Sequence, residues 1–245
     1  MRSGRVRRAS TKKTLRMLIR TLVPQSAARL IQDMIKAGDL KAGQKIPSQR
    51  EFSVRLGISR ASLREALLTL ETLGLLKTEA GRGTFVAGNR PSATNNMAPW
   101  RYADSYSVFD VFQTRIILEG SIAALAAGRL TGSQLQAMEQ ATITMEDCWA
   151  SQDLLTNVEA DLEFHGIIAS ACSNAMLRAL YQTVREQLTE TQRQPIPITE
   201  PSRMQASVAE HRAIIAALRT NDVERSRLAM ETHVRNTARC AGLFP

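Results

Sequence analysis

The chain contains three histidines, and all of them lie in its second half. Asp161 and His165 are four residues apart, a spacing that places a carboxylate and an imidazole side by side on one face of a helix. His211 and His233 each lie next to apolar residues in two later segments with a helical pattern. If these helices form an antiparallel bundle, the four side chains can converge in its core, where helical bundles commonly bind metal ions.

Three neutral imidazoles and one carboxylate suit Zn, Ni, Mn or Fe, and we take zinc as the first expectation. A site for a small ligand would keep a coordination position open, whereas a structural zinc site would be closed. The alternative is three unrelated histidines, each satisfied where it lies. No convincing separate general base or nucleophile accompanies these residues, so we do not expect an enzyme. A metal-dependent enzyme with a nucleic-acid-binding appendage is the alternative.

The two halves of the chain differ in charge. Residues 1–90 contain 19 basic and 6 acidic residues, and residues 91–245 contain 13 basic and 17 acidic residues. A strongly basic half favours nucleic acid or an anionic membrane as its partner, although a solvated basic face has the same composition. No apolar run approaches the ~20 residues of a membrane span, so we expect no membrane partner.

Cysteine usage and the amino terminus bear on location. The three cysteines are odd in number and form no CxxC motif, which indicates reduced thiols in the cytoplasm. The first 32 residues contain no acid, so an organellar transit peptide is an alternative to a basic arm over residues 1–22.

The basic half contains the pattern of a helix-turn-helix. Ser48 and Glu51 form a capping box that opens a short helix, and a turn at Gly57 leads to Ser59, which can cap a second helix ending at Gly74. Residues 75–86 then predict two short strands around a glycine-rich tip, the wing of a winged helix.

The second helix would enter the DNA major groove. Arg60 and Arg64 share one of its faces, and arginine can bind guanine O6 and N7 together. Ser59 and Ser62 can donate to phosphates or bases. Arg50 on the first helix could reach the DNA backbone. Arg82 at the wing tip could reach a flanking groove or a phosphate.

Four segments follow from these patterns: a basic arm over 1–22, a winged helix-turn-helix over 23–88, a polar, proline-containing linker over 89–106, and an all-helical domain over 107–241. The fold class is mainly α, with a small β wing and a bundle of six or seven helices. We expect the bundle helices near 107–128, 132–150, 153–171, 175–192, 202–220 and 222–240.

Both halves resemble one family of regulators. The run from Gly38 to Glu51, followed by Leu56–Arg60, Leu63–Leu67 and Gly81–Val86, resembles the winged-helix domain of the GntR family. This resemblance implies DNA contacts from Arg50, Ser59, Arg60, Ser62, Arg64 and Gly81. The one departure is Gln49, where the family more often has glutamate.

The helical half resembles the FCD effector domain of the FadR subfamily, through Phe112–Glu119, Ala160–His165, Ser173–Leu177, Glu210–Ile214 and a final His233. In metal-binding members the resemblance places the ligands on Asp161, His165, His211 and His233. It also implies that Arg115 and Asn174 contact the effector. An arginine can hold an effector carboxylate by a bidentate pair.

We therefore expect a cytoplasmic bacterial regulator, associated with the nucleoid when bound to DNA, that acts as a repressor. A homodimer would bind an inverted-repeat operator in double-stranded DNA, and a small carboxylate (a hydroxy acid, sugar acid or dicarboxylate) would modulate that binding. The alternatives are a fatty acyl-CoA-responsive regulator, which the metal set disfavours, and an architectural DNA-binding protein with a structural metal.

Overall fold

The computed structural model describes residues 24–88 and 99–243. The predicted basic arm (1–22) and the first part of the predicted linker (89–98) lie outside the described residues. The chain divides into two compact units between Arg90 and Pro91. Within the described ranges, none of the helices combines the length and the apolar character that a membrane span requires.

The first unit is a winged helix-turn-helix. Its elements are α1 (24–36), α2 (Gln49–Leu56), α3 (Arg60–Thr72), β1 (Leu76–Glu79) and β2 (Gly83–Val86). The two strands are antiparallel, with Leu76 opposite Val86. Lys45 adds a bridge to Phe85, so a third short segment extends the predicted two-stranded wing.

Local hydrogen bonds explain where α2 and α3 begin. Ser48 and Glu51 form the predicted capping box, because the backbone N–H of Glu51 donates to Ser48 Oγ and that of Ser48 donates to Glu51 Oε2. The N–H of Ser62 donates to Ser59 Oγ at the start of α3. Gly57 ends α2 at φ +66°, a conformation that glycine adopts without a steric penalty. The tight turn between α2 and α3 follows from these contacts.

The second unit consists of seven α-helices and one 3₁₀ turn within the described residues, in agreement with the predicted bundle. The α-helices are α4 (Val108–Ala126), α5 (Gly132–Ala150), α6 (Leu154–Ala171), α7 (Ala175–Thr183), α8 (Arg185–Arg193), α9 (Pro201–Arg219) and α10 (Val223–Cys240). The 3₁₀ turn spans Ile196–Ile198. Helix α4 packs on α10, α5 packs on α6, and α9 contacts both α5 and α10.

The single helix predicted over 175–192 is wrong, because the chain breaks at Val184 into α7 and α8. Thr183 Oγ1 donates to the carbonyl of Ala179 one turn earlier, a contact that bends helices. After the break, α8 contacts both α4 and α6.

Residues 99–106, the second part of the predicted linker, pack on the helical unit. Trp100 Nε1 donates to the carbonyl of Tyr106 at 2.7 Å, and both side chains lie against the apolar core. Tyr102 stacks on Tyr106 with ring centroids 5.9 Å apart. The aromatic residues thus anchor this segment, which the polar composition of the linker did not predict.

Helices α4 and α10 approach closely at Gly120, where a Cβ would lie 2.8 Å from Cγ of the buried Glu231. We expect Gly120→Ala to lower the melting temperature, because overpacking costs about 1–3 kcal/mol and exceeds the ~1 kcal/mol gained in helix propensity. Thermal unfolding followed by circular dichroism measures the effect. Gly166→Ala is the matched control, because its Cβ would meet nothing within 4 Å. Equal melting temperatures for the two variants would contradict this packing argument.

Candidate metal centre and nucleic-acid interface

The structure brings the four predicted ligands together in the helical unit. Asp161 and His165 come from α6, His211 from α9 and His233 from α10. One potential ligand atom of each residue lies within 4.8 Å of those of the others. Asp161 Oδ1 is 3.0 Å from His211 Nε2 and 3.8 Å from His165 Nε2. All three imidazoles are buried, and the carboxylate of Asp161 is 18% exposed.

Each imidazole directs its Nδ1 atom at an oxygen of the protein. His233 Nδ1 donates to Glu210 Oε2 at 2.9 Å, and His211 Nδ1 lies 2.8 Å from the carbonyl of Ser207. His165 Nδ1 lies 2.5 Å from Glu119 Oε2, although this pair is not aligned as a hydrogen bond. A proton on Nδ1 leaves the Nε2 lone pair of each ring free to bind a cation.

The arrangement fits a divalent cation. Nε2 of His165 and Nε2 of His211 are buried and have no aligned hydrogen-bond partner among the described residues. Unpaired buried polar atoms are costly, and a cation would satisfy both lone pairs at once. Three imidazole nitrogens and one carboxylate oxygen form a donor set that suits zinc and other transition metals.

At His233 and Asp161, electrostatics favours the protonation state that binds a metal ion. Burial and the charge of His211 lower the pKa of His233 to about 4, so the ring is neutral at pH 7. Burial alone would raise the pKa of Asp161, but His165, His211 and His233 together lower it below its usual range. A neutral imidazole and an ionised carboxylate are the forms that bind metals.

A cavity of about 60 Å³ borders the cluster. Its polar lining includes Asp161, His233, Arg115 and Arg203. Its apolar lining comes from several helices and the 3₁₀ turn and includes Met145, Val158, Ile196 and Met204. Such a volume holds roughly four water molecules, the size of a short carboxylate rather than a long acyl chain.

Arg115, for which the resemblance implied a contact with the effector, lines this cavity but is only 1% exposed. Its Nε donates to Glu119 Oε1 at 2.7 Å and its Nη1 donates to Thr191 Oγ1 at 3.2 Å. The guanidinium charge therefore already has a carboxylate partner. Burial opposes ionisation of Glu119, but Arg115 and His165 lower the pKa of its carboxyl to about 2.

Asn174 does not line the cavity. Its side chain is exposed, and its Oδ1 accepts hydrogen bonds from the backbone N–H groups of Met176 and Leu177, so Asn174 caps the amino terminus of α7. We therefore leave Asn174 out of the site proposed below. The capping preference of asparagine explains why it stands at this position.

Four residues around the cluster were not predicted from the sequence. Gln192 Nε2 donates to Asp161 Oδ2 at 2.6 Å, and Glu119, Glu210 and Ser207 supply the oxygens that face the Nδ1 atoms. Glu119 carries a local signal, because it stands four residues after Arg115 on one helix face. Glu210 precedes His211 in the chain but contacts His233 on another helix, so no local pattern indicates its role.

The first unit presents the predicted DNA contacts on its surface. Arg50, Arg60 and Arg64 are exposed, and Arg60 is the first residue of α3. Ser59 Oγ accepts from the N–H of Ser62 and lies 2.9 Å from Ser62 Oγ, so both serines also serve the helix start.

Gly81 and Arg82 lie at the wing tip, and their surroundings differ. Gly81 is exposed at φ +71°, a left-handed conformation that glycine adopts without a penalty. The guanidinium of Arg82 pairs with the carboxylate of Glu79 and lies 5.5 Å from the ring centroid of Phe85. Arg82 is thus paired within the wing, although its side chain is 72% exposed.

Comparison with known proteins identifies both units. Residues 24–86 match the family of bacterial regulatory proteins called gntR, and residues 110–236 match the FCD domain. The chain belongs to the GntR family. It is a DNA-binding transcription regulator with a carboxy-terminal FCD domain, as the sequence resemblance predicted.

Relatives of this GntR regulator match most of its length. The Uxu operon transcriptional regulator of Escherichia coli K12 is 30% identical over 218 residues, which cover 86% of this chain and 84% of the relative. A protein of the same strain, named as an L-lactate dehydrogenase operon regulatory protein, is 32% identical over 231 residues, with 89% and 85% coverage. A GntR regulator structure from Rhodococcus sp. RHA1 is 19% identical, has a TM-score of 0.51 over 91% of this chain and 99% of its own, and shows the fold alone.

Proposed function

We propose that this GntR regulator is a repressor whose operator binding is relieved by a small carboxylate bound at a divalent metal ion in the FCD domain. The observation that carries the proposal is the convergence of Asp161 and three imidazoles, with their Nδ1 atoms turned to protein oxygens, beside a small cavity. A hydroxy acid, a sugar acid and a dicarboxylate are the candidate ligand classes.

Asp161, His165, His211 and His233 would hold the metal, with zinc favoured and nickel, manganese or iron as alternatives. The bound metal would supply a Lewis-acidic positive centre that attracts carboxylate oxygens. Arg115 would contribute a hydrogen-bond donor in the cavity wall. It would not contribute an uncompensated charge, because Glu119 already neutralises the guanidinium. The apolar wall would contact the carbon chain of the ligand.

The name of one relative supports a carboxylate ligand. One relative is named for an L-lactate dehydrogenase operon, and L-lactate is a short hydroxy acid. A fatty acyl-CoA is a poorer candidate, since a cavity of about 60 Å³ is far smaller than the pockets of ~300–1,000 Å³ that hold drug-sized ligands.

We propose that the active form is a homodimer that places two copies of α3 in successive major grooves of an inverted repeat. Several large apolar side chains are exposed on neighbouring helices α4 and α7 of the FCD domain, which supports burial against a second copy: Phe109, Ile117, Leu125, Met176 and Leu180. The contacts expected on DNA are those of Arg50, Ser59, Arg60, Ser62, Arg64 and Gly81, with Arg82 a contact only if it leaves Glu79.

A thermal-shift screen tests the proposed binding of a carboxylate at the metal site of the FCD domain. We expect one or more members of a panel of L-lactate, glycolate, D-glucuronate, L-malate and succinate to stabilise the metal-loaded protein, by about 2.7 kcal/mol at a concentration of 100 Kd. The same ligand should have no effect after treatment with a chelator, and it should weaken DNA binding, since the coupling of the two sites is reciprocal. A stabilisation that persists without metal, or a ligand with equal affinity for free and DNA-bound protein, would contradict the mechanism.

A further inference from the structure

A chain of hydrogen bonds connects the cavity to one of the proposed metal ligands. Arg203, in the first turns of α9, lines the cavity and donates from both Nη atoms to the carboxylate of Glu210, at 2.8 and 2.7 Å. Glu210 Oε2 in turn accepts from Nδ1 of His233, and Glu210 Oε1 accepts from Asn236 Nδ2 at 2.7 Å. The carboxylate thus has four donors, which matches its approximately four acceptor positions.

An arginine and a glutamate lie beside His165 in a similar arrangement, but the contact between the glutamate and the histidine is not an aligned hydrogen bond. Arg115, also in the cavity wall, contacts Glu119 through its Nε, and Glu119 approaches His165 without hydrogen-bond alignment. Arg115 and Glu119 are both fully buried, whereas Arg203 and Glu210 are 19% and 17% exposed. Replacing Arg203 therefore tests this chain of hydrogen bonds without leaving a fully buried charge unpaired.

We propose that Arg203 is a positioning residue that acts through Glu210 to hold His233 as a metal ligand. This inference rests on the proposed metal site. The planar fork of an arginine fixes the plane of the carboxylate that it binds, which a point charge does not do. A fixed Glu210 aims Oε2 at Nδ1 of His233, holds the proton there, and directs the Nε2 lone pair to the cation. Partners of this kind change metal affinity by about 10- to 100-fold when removed.

The decisive comparison uses three variants of the full chain and zinc alone. Arg203→Met removes the fork with little change in length, Arg203→Lys keeps the charge, and Arg212→Met is the control. Arg212 also lies on α9 but pairs with Glu146 on the surface, where both side chains are more than half exposed. Competition with a chromophoric chelator measures zinc affinity, and the visible spectrum of the cobalt-loaded protein reports the ligand field at the site.

We expect Arg203→Met to weaken zinc binding about 10-fold or more and to change the cobalt spectrum, with the metal-free melting temperature close to that of Arg212→Met. Arg203→Lys should recover part of the affinity, and Arg212→Met should bind zinc within twofold of wild type. If Arg203→Met does not fold, Arg203→Lys and Asn236→Ala test the inference instead. Both variants disturb the hydrogen bonds of the Glu210 carboxylate, so both must weaken zinc binding.

Two outcomes separate this inference from the function on which it rests. If wild-type protein binds zinc and the Arg203 variants bind it equally well, or lose no more than Arg212→Met, the positioning role is overturned and the metal site stands. If wild-type protein binds no divalent cation, the proposed sensing function itself fails.

Discussion

Replacing His165 with alanine should abolish divalent metal binding and, with it, stabilisation by any carboxylate. His165 supplies one of four ligands, and Asp161 on the same helix then keeps only the two imidazoles of α9 and α10 as partners. The loss should exceed the about 10- to 100-fold that outer partners cost, since a ligand itself is removed. Metal content after dialysis and the thermal shift with the best carboxylate measure the two effects.

The control for this experiment lies on the same helix. Glu163 is exposed and stands two residues from His165, so Glu163→Ala changes α6 without touching the cluster. Asp161→Asn is a second test that keeps the side-chain shape but removes the negative charge that binds the cation. Stoichiometric metal in His165→Ala, or an intact carboxylate response in metal-free protein, would contradict the assignment of these ligands.

Replacing Arg60 with alanine should eliminate specific DNA binding at moderate salt while the oligomeric state is kept. Arg60 is exposed at the first position of α3, where a recognition helix meets base edges. A bidentate arginine–guanine contact contributes about 1–3 kcal/mol to discrimination, and a homodimer would lose it twice. Fluorescence anisotropy on a DNA site obtained by selection with the wild-type protein measures the change.

Arg55→Ala provides the matched control, because it removes the same charge from an exposed position on α2. Light scattering on each variant reports its mass, so that a loss of DNA binding is not confused with dissociation. Affinity for random DNA should fall much less than affinity for the selected site, because phosphate contacts carry no sequence information. Unchanged discrimination in Arg60→Ala would assign base reading to other residues of the unit.

The ligand cluster illustrates what a local pattern can predict. Asp161 and His165 share a helix face by spacing alone. The helical pattern around His211 and His233 made them candidates for the same bundle core, and the sequence resemblance implied the same four ligands. All four converge in the structure. The residues that contact these ligands could not be predicted in the same way. Glu210 follows Arg203 by seven residues on α9, yet its carboxylate contacts His233 on α10 across a helix interface. Such a contact depends on the rotation of two packed helices, which neither helix encodes alone.

Elements were predicted best where their signals were short-range. The capping box at Ser48, the cap at Ser59 and the glycine turn between them are contacts within four residues, and all are present. The third segment of the wing at Lys45 was missed, because it pairs with a strand about forty residues later. The break at Val184 was missed because apolar periodicity continues through it.

The sequence by itself therefore determined the family, the helical and winged architecture and the identity of the four metal-ligand candidates. Spacing along a helix, capping chemistry and glycine conformation are set within a few residues. Only the tertiary structure decided that Arg115 is already neutralised by Glu119, that Asn174 serves as a cap, and that Arg203 reaches His233 through Glu210. Those roles arise from packing between helices, and hydrogen-bond geometry across such an interface is specified by the whole bundle.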